Sequence, residues 1–515
     1  MITRVRSGGL LAGPLVFALF VLLPAPSGLG VDAWRTAGVA LWMAIWWVTE
    51  AVPIYVTAML PLVLFPMLGI VKAKGLAPAY GHPFIFLFMG GFMLARAIER
   101  WNLHERIALR IVHAVGVSPK RLIFGMMVAT AFMSMWISNT ASTLIMLPIG
   151  MAILSEAAKI GGTTVADDPD LSVMATCLML AVAYAANIGG MGTLVGTAPN
   201  VVFASQLAQL FPEAPEVTFL SWMQVALPLV VIFIPICWFY LTRFAFPIHL
   251  TELPGGRQVI DQRLAALPVM SSAERRVGLV FLLTAMGWIF RKPIDIGLMQ
   301  IPGWSTLMGV SAYTHDATVA MLAVLLLFVI PSGNTGNSPA TENGRLLDWP
   351  TAVGIPWGVL VLFGGGLALA GGVRDSGLAM WIGSQFQTMA GAPLLLVLLV
   401  LCVVMIFLTE VTSNTAVSTL FMPVLAAMAV SMGQDPVLFM LPAVLCASCA
   451  FMLPVATPPN AIVFGSGHIR IPQMARAGFA LNLMGVVLVT GLAYLTIIPF
   501  FGIQVGVLPA WAGGG

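Results

Sequence analysis

The chain has 515 residues, 59% hydrophobic and only 8% charged, with a formal net charge of +3. A soluble domain carries about 25% charged residues, so this composition excludes a cytosolic enzyme, a nucleic-acid-binding protein and a disordered scaffold. At ~20 apolar residues per span, the length suits about ten to twelve transmembrane helices.

In chain order, Met1 to Arg6 and the apolar run to Leu23 imitate a secretory signal but are read as a first transmembrane helix, within residues 1–30. Further spans are predicted at about 32–49, 53–70, 83–98, 172–210 (long and interrupted), 221–242, 277–290, 317–331, 355–373, 437–464 and 478–500. That makes eleven crossings. The five cysteines, Cys177, Cys237, Cys402, Cys446 and Cys449, lie in apolar runs and read as small packing residues.

Two further apolar blocks, 121–158 and 392–431, are interrupted by Ser138-Asn139-Thr140 and Ser413-Asn414-Thr415. In the first block the 16 residues before the interruption span about 24 Å as helix, short of the ~30 Å apolar layer. Lys120, Arg121 and Lys159 flank it on both sides, and basic ends favour the cytoplasm. Both blocks are therefore predicted as re-entrant helical hairpins with the Ser-Asn-Thr triplets at their tips. This topology places seventeen of the 23 Lys and Arg on the cytoplasmic side, with Arg35, Lys72, Lys74, Arg291, Lys292 and Arg374 outside. The N-terminus is then cytoplasmic and the C-terminus external.

The chain repeats itself. Leu87 to Ala95 resembles Leu362 to Ala370, and Ser138 to Ala141 matches Ser413 to Ala416, both at an offset of 275. Gly196-Thr197-Ala198-Pro199-Asn200 resembles Ala456-Thr457-Pro458-Pro459-Asn460 at an offset of 260. Residues 31–250 form a first repeat, 251–276 a cytoplasmic loop and 277–515 a second repeat. Five crossings separate the hairpins, so the repeats are inverted. Inverted repeats with broken helices meeting at the midplane are the architecture of secondary transporters.

The chemistry follows from the breaks. Helix ends at a tip leave backbone groups unpaired, and irregular backbone at membrane depth must face protein or water. Ser, Asn and Thr supply neutral oxygens suited to Na⁺, and a helix starting at the tip favours an anionic group. Proline in Thr-Ala-Pro-Asn and Thr-Pro-Pro-Asn frees a carbonyl at two more breaks. One Ser-Asn-Thr is ordinary interhelical hydrogen-bonding material; two in register, each matched to a Pro-Asn break, define a site. Glu50 and Glu410 are read as ion-pair or helix-end groups, with a proton-coupling carboxylate as the alternative.

The paired tips, Asn187-Ile188-Gly189-Gly190 leading to Gly-Thr-Ala-Pro-Asn, and Leu453 to Asn460 resemble the divalent-anion:sodium symporter family, including its INDY-type bacterial dicarboxylate transporters. The resemblance covers nearly the whole chain. It implies a homodimer in the bacterial inner membrane, each protomer an elevator-type transporter with a scaffold and a mobile domain. It also implies a first Na⁺ site at Ser134, Ser138, Asn139 and backbone near Gly196, and a second at Thr409, Ser413, Asn414 and backbone near Ala456. Substrate carboxylates would meet Asn139, Thr140, Asn414 and Thr415, with Thr197, Thr457 and Pro458 lining the site. Ser134 and Thr409 are themselves 275 apart. Ala198 departs from the family's usual proline.

The expected fold is thus an all-α polytopic membrane protein of about eleven spans plus two re-entrant hairpins in an inverted repeat. The expected activity is Na⁺-coupled symport of C4-dicarboxylates such as succinate. A dicarboxylate exchanger, a sulfate or tricarboxylate transporter, an anion channel and a membrane enzyme are the alternatives. A catalytic dyad or metal cluster is not found in the sequence, so an enzyme is the weakest of these.

Overall fold

A computed structural model describes residues 2–116, 118–295, 299–333, 344–389 and 391–513. The protein is nearly all helix. Among the described residues the one sheet is a small ribbon, Ile294–Asp295 paired antiparallel with Gln300–Ile301.

Helix starts follow local chemistry. Proline stands at the first turn of Pro83–Arg100, Pro119–Ser134, Pro169–Gly190 and Pro436–Ala447, where its missing N–H costs nothing. Asp168 accepts from the N–H groups of Asp170 and Leu171, and Asp435 accepts from Val437 at 2.8 Å. Thr218 and Ser221 close a capping box on Phe219–Tyr240.

By length and composition, seven helices among the described residues qualify to cross a membrane, and five apolar helices are shorter. The predicted span at 53–70 is not one helix. It divides into Ile54–Thr57 and Leu60–Met67, with Pro61 and Pro66 inside the second piece. The expected loop 251–276 contains the helix Gly256–Ala266.

Both interrupted blocks fold as helix–break–helix. The first runs Pro119–Ser134 and Asn139–Ile160, the second Leu394–Thr409 and Asn414–Ser431. The return arm of the first is longer than the apolar run alone, because the helix continues through Glu156 and Lys159. The interrupted span at 172–210 breaks between Pro169–Gly190 and Ala198–Leu210. Its counterpart breaks between Pro436–Ala447 and Pro458–Phe464.

These elements occupy the centre of the molecule. Every residue of Pro436–Ala447 is buried, as are 18 of Pro169–Gly190, which explains why both read as apolar all round rather than amphipathic. The first hairpin packs on Pro169–Gly190, and the second on Pro436–Ala447 and Ala198–Leu210. Pro83–Arg100 packs on Asp316–Val329, and Trp357–Asp375 lies against Ile54–Thr57, Ala73–Tyr80 and Ala198–Leu210.

Candidate cation and substrate site

The two tips are built alike from unlike neighbours. In the first, Ser134 is the last residue of its helix, and its hydroxyl lies 2.6 Å from Asn139 Oδ1 and 2.7 Å from the Ala186 carbonyl. In the second, the Thr409 hydroxyl lies 2.6 Å from Asn414 Oδ1 and 2.9 Å from the Ala447 carbonyl. Thr143 and Ser418 then donate to the Asn139 and Asn414 carbonyls, each at 2.8 Å. Every member of the first set maps onto the second at offsets of 275 or 261. Ser138 caps its helix by accepting from Ala141 N–H at 3.2 Å; Ser413 makes no such side-chain cap.

The helix breaks obey the same pairing. Proline and the chain turn free carbonyls, and the asparagine that follows collects them. Asn200 donates to the carbonyls of Gly190 at 3.0 Å and Thr193 at 2.7 Å. Asn460 donates to Ala450 at 3.1 Å and Leu453 at 3.0 Å. Asn187 joins the halves, its Nδ2 lying 3.1 Å from Thr457 Oγ1 and 3.4 Å from Asn460 Oδ1. Glycine is needed for the close approach: a Cβ on Gly189 would overlap the Ala131 backbone, and one on Gly190 would overlap Asn139 Oδ1.

A cavity of about 1750 Å³ takes in both tips and both breaks. Ser138, Asn139, Thr140, Gly196, Thr197, Ser413, Asn414, Thr415, Ala456, Thr457 and Pro458 all line it. Ser134 and Thr409 lie buried behind this surface, each against its asparagine. All thirteen residues named from the sequence therefore gather around one volume. The side chains at the tips are neutral oxygen donors, and the amide oxygens of Asn187 and Asn200 are buried without a hydrogen-bond partner among the described residues. That donor set fits a hard monovalent cation. The charged residues of the lining are paired, Arg6 with Glu50 at 3.0 Å and Arg96 with Glu99 at 2.9 Å. Glu50 ends its helix in a left-handed conformation, φ 46°.

Glu410 is held in a cage of donors. Its carboxylate accepts from the N–H groups of Phe451 at 2.7 Å, Met452 at 2.9 Å and Leu453 at 3.1 Å, and from Asn482 Nδ2 at 2.7 Å. All four partners are donors, which a carboxyl group's oxygens accept. The corresponding residue of the first repeat is Met135, whose carbonyl accepts from Thr193. Asn187, Thr193 and Asn482 were not among the residues singled out for the site. The Pro-Asn pairs were visible in sequence; the Glu410 cage is made to main-chain groups, which leave no side-chain pattern.

The family model for the sodium:sulfate symporter transmembrane region matches residues 6–502. The chain belongs to that family, and it is a multi-pass membrane transporter. It is 43% identical over 498 residues to a protein named sodium-dependent dicarboxylate transporter SdcS from Staphylococcus saprophyticus, covering 96% of this chain and 92% of that one. The same name belongs to a Staphylococcus aureus relative 42% identical over 497 residues, with the same two shares covered. Two solved transporters share the fold. The YdaH transporter of Alcanivorax borkumensis aligns with TM-score 0.52 at 16% identity, over 82% of this chain and 89% of that one. MtrF of Neisseria gonorrhoeae aligns with TM-score 0.54 at 11% identity, over 96% and 94%.

Proposed function

We propose that this chain carries C4-dicarboxylates such as succinate inward across the bacterial inner membrane, coupled to Na⁺, as a homodimer working by an elevator mechanism. The observation that carries the reading is the pair of matched Ser/Thr–Asn tips facing one cavity, the tips themselves carrying only neutral side chains. A dianion held there needs positive charge, and the tip oxygens can supply it only through bound cations. Cation and substrate binding are therefore interdependent. Asn139, Thr140, Asn414 and Thr415 take the carboxylates, with Thr197, Thr457 and Pro458 beside them. Ser134, Ser138, Asn139 and the Gly196 backbone hold one Na⁺; Thr409, Ser413, Asn414 and the Ala456 backbone hold the other.

The excess of basic residues on one side supports a cytoplasmic N-terminus and external C-terminus. The part of the cavity lined by Arg6, Arg96 and His104 then faces the cytoplasm. The mobile body comprises both hairpins and both broken helices; the early spans of each repeat, including 32–70, form the scaffold and the dimer interface.

Reconstituted uptake of radiolabelled succinate tests this. Uptake is expected with a Na⁺ gradient, to vanish when choline replaces Na⁺, and to resist excess sulfate. Undiminished exchange without Na⁺ would overturn symport, and full competition by sulfate would overturn the substrate.

A further inference from the structure

The two glycine-rich helices, Pro83–Arg100 and Trp357–Asp375, match through Gly91 and Gly366. Each glycine receives a side chain from the central elements, but not the corresponding one. A Cβ at Gly91 would lie 3.2 Å from Val195 Cγ1, so the first break loop docks there. At Gly366 the contact is the methyl of Thr419, from the return arm of the second hairpin. The repeat makes Val455 the counterpart of Val195 (offset 260) and Leu144 the counterpart of Thr419 (offset 275).

Those counterparts have the opposite environment. Val195 is 7% exposed and Val455 81%; Thr419 is 0% exposed and Leu144 53%. Both exposed residues line the cavity. Two large apolar side chains thus stand exposed in the cavity, each beside a break or tip whose twin is seated on glycine. A second asymmetry lies at the occupied Gly366 position. Thr419 Oγ1 and Gln206 Oε1 are buried there without partners among the described residues, although Gln206 Nε2 donates to the Thr419 carbonyl at 3.0 Å. Buried unpaired polar atoms raise the free energy of a state.

We infer that Gly91 and Gly366 are two-position docking sites, and that the transport step exchanges their occupants. In the structure described here Gly91 holds Val195 and Gly366 holds Thr419. In the opposite state Leu144 seats on Gly91 and Val455 on Gly366, while Val195 and Thr419 enter the opened cavity. The exchange is balanced, since each state buries one knob per glycine and exposes the other. Thr419 regains water for its hydroxyl as Val455 covers the glycine it leaves. Only a residue without a side chain accepts two unlike knobs in turn, valine or leucine at Gly91 and threonine or valine at Gly366, and packed interfaces of this kind have discrete positions rather than a continuum. This inference rests on the reading of the hairpins and broken helices as one mobile body.

Double-cysteine variants in proteoliposomes test it. Gly91→Cys with Val195→Cys reports the state described here; Gly91→Cys with Leu144→Cys and Gly366→Cys with Val455→Cys report the opposite one. The latter two pairs are expected to cross-link under Na⁺ and succinate, and linking either should stop uptake. Val411, in the cavity and exposed, when replaced by Cys should then lose its labelling by an impermeant maleimide. Failure of both opposite-state pairs to link, in variants that still take up succinate with Na⁺, would overturn the docking exchange and leave the transport reading standing. Absence of Na⁺-driven uptake in the parent chain would instead remove the transport reading.

Cysteine at Gly366 meets the Thr419 methyl, so a milder measurement accompanies it. Leu144→Ala and Val455→Ala truncate side chains already exposed here, and are expected to shift the population about tenfold toward the described state. Spin labels at the exposed residues Leu41 and Ile160 read that shift. Unchanged populations, or a shift the other way, would overturn the exchange.

Discussion

Ser134 and Thr409 are chemically different residues making the same contact, an oxygen 2.6 Å from the asparagine that opens the next helix. That asparagine is the pivot of each tip, since its side chain meets the hydroxyl and its carbonyl receives a second one a turn later. Asn139→Ala and Asn414→Ala should each abolish succinate uptake while leaving folded protein, because each removes half of a paired site. Size-exclusion profiles and Na⁺-dependent protection from heating check this; normal uptake by either variant would return that motif to a packing role. Glu410 gives a different prediction. Hydrogen bonds to a charged group contribute about 1.5–3 kcal/mol each, and Glu410→Ala strands three main-chain N–H groups and Asn482 at once. The alanine variant should lose several kcal/mol, read as a lower detergent melting temperature. Glu410→Gln keeps one acceptor oxygen and should fall between wild type and alanine. Wild-type thermal stability in the alanine variant would disprove the cage. The asparagines were legible in the sequence because they are duplicated. The cage was not, because its donors are main-chain groups 41 to 43 residues away.

The sequence concealed the ends of elements and the helices outside the apolar runs, such as Leu103–Val115. Apolar runs located the spans, but a helix does not stop where apolarity stops. Asn139–Ile160 continues over Glu156 and Lys159, and Gly256–Ala266 forms where only a polar loop was expected. In 53–70 composition hid the opposite error: the run is apolar throughout, yet the chain divides at Ala58 and Met59, whose carbonyl partners include the Tyr80 hydroxyl at 2.7 Å from Ala58. One junction between elements makes a pH prediction. At the end of the bundle where Pro83–Arg100 begins, His315 packs on Phe84, about 20 Å along that helix from Arg96, and buried Arg291 pairs with Asp316 at 2.6 Å and Glu216 at 2.5 Å. Lys292 reaches Glu216 at 2.5 Å, and His315 Nδ1 accepts from Ala317 N–H at 3.1 Å. Burial, with Arg291, His82 and Lys292 nearby, lowers the His315 imidazole from 6.5 to about 4, against the opposing pull of Glu216. Burial raises the Glu216 carboxyl, but Lys292 and Arg291 outweigh it and hold the group below its usual 4.5. In both cases the unfolded chain binds the proton first. The His315 contribution is complete above about pH 6.5 and is lost as pH falls toward 4; that of Glu216 is lost only below 4.5. Melting temperature should decline from pH 6.5 downward, and His315→Asn, which keeps a capping acceptor, should flatten the decline between 6.5 and 4.5. An unaltered slope in that variant would remove His315 as its cause.

At the scale of the whole molecule, the sequence exposed the inverted repeat but not which state the chain adopts, because two similar halves fit either of two unequal arrangements. The inequality is visible only in contacts: Trp136 beside the first tip stacks with Phe219 and meets Phe281 edge-on, while its counterpart Val411 stands in the cavity. If the hairpins and broken helices move as one body, contacts within that body persist through the cycle and contacts leaving it do not. Thr176 and His468 join the two broken-helix segments, the Thr176 hydroxyl donating to the His468 carbonyl at 2.8 Å. Glu216 and Lys292 join the loop after the first broken helix to the end of Ser272–Ile289. A bifunctional thiol reagent linking Thr176→Cys to His468→Cys should therefore leave Na⁺-driven uptake largely intact. Linking Glu216→Cys to Lys292→Cys should arrest it, with recovery when a reducible linker is cleaved. Substrate binding, measured by equilibrium dialysis, should survive in the arrested variant, since the tips are untouched. The reverse pattern, with uptake lost on linking 176 to 468 and retained on linking 216 to 292, would replace the elevator by a rocking of the two repeats against each other. The binding residues would then stand, but the body that carries them would have to be redrawn.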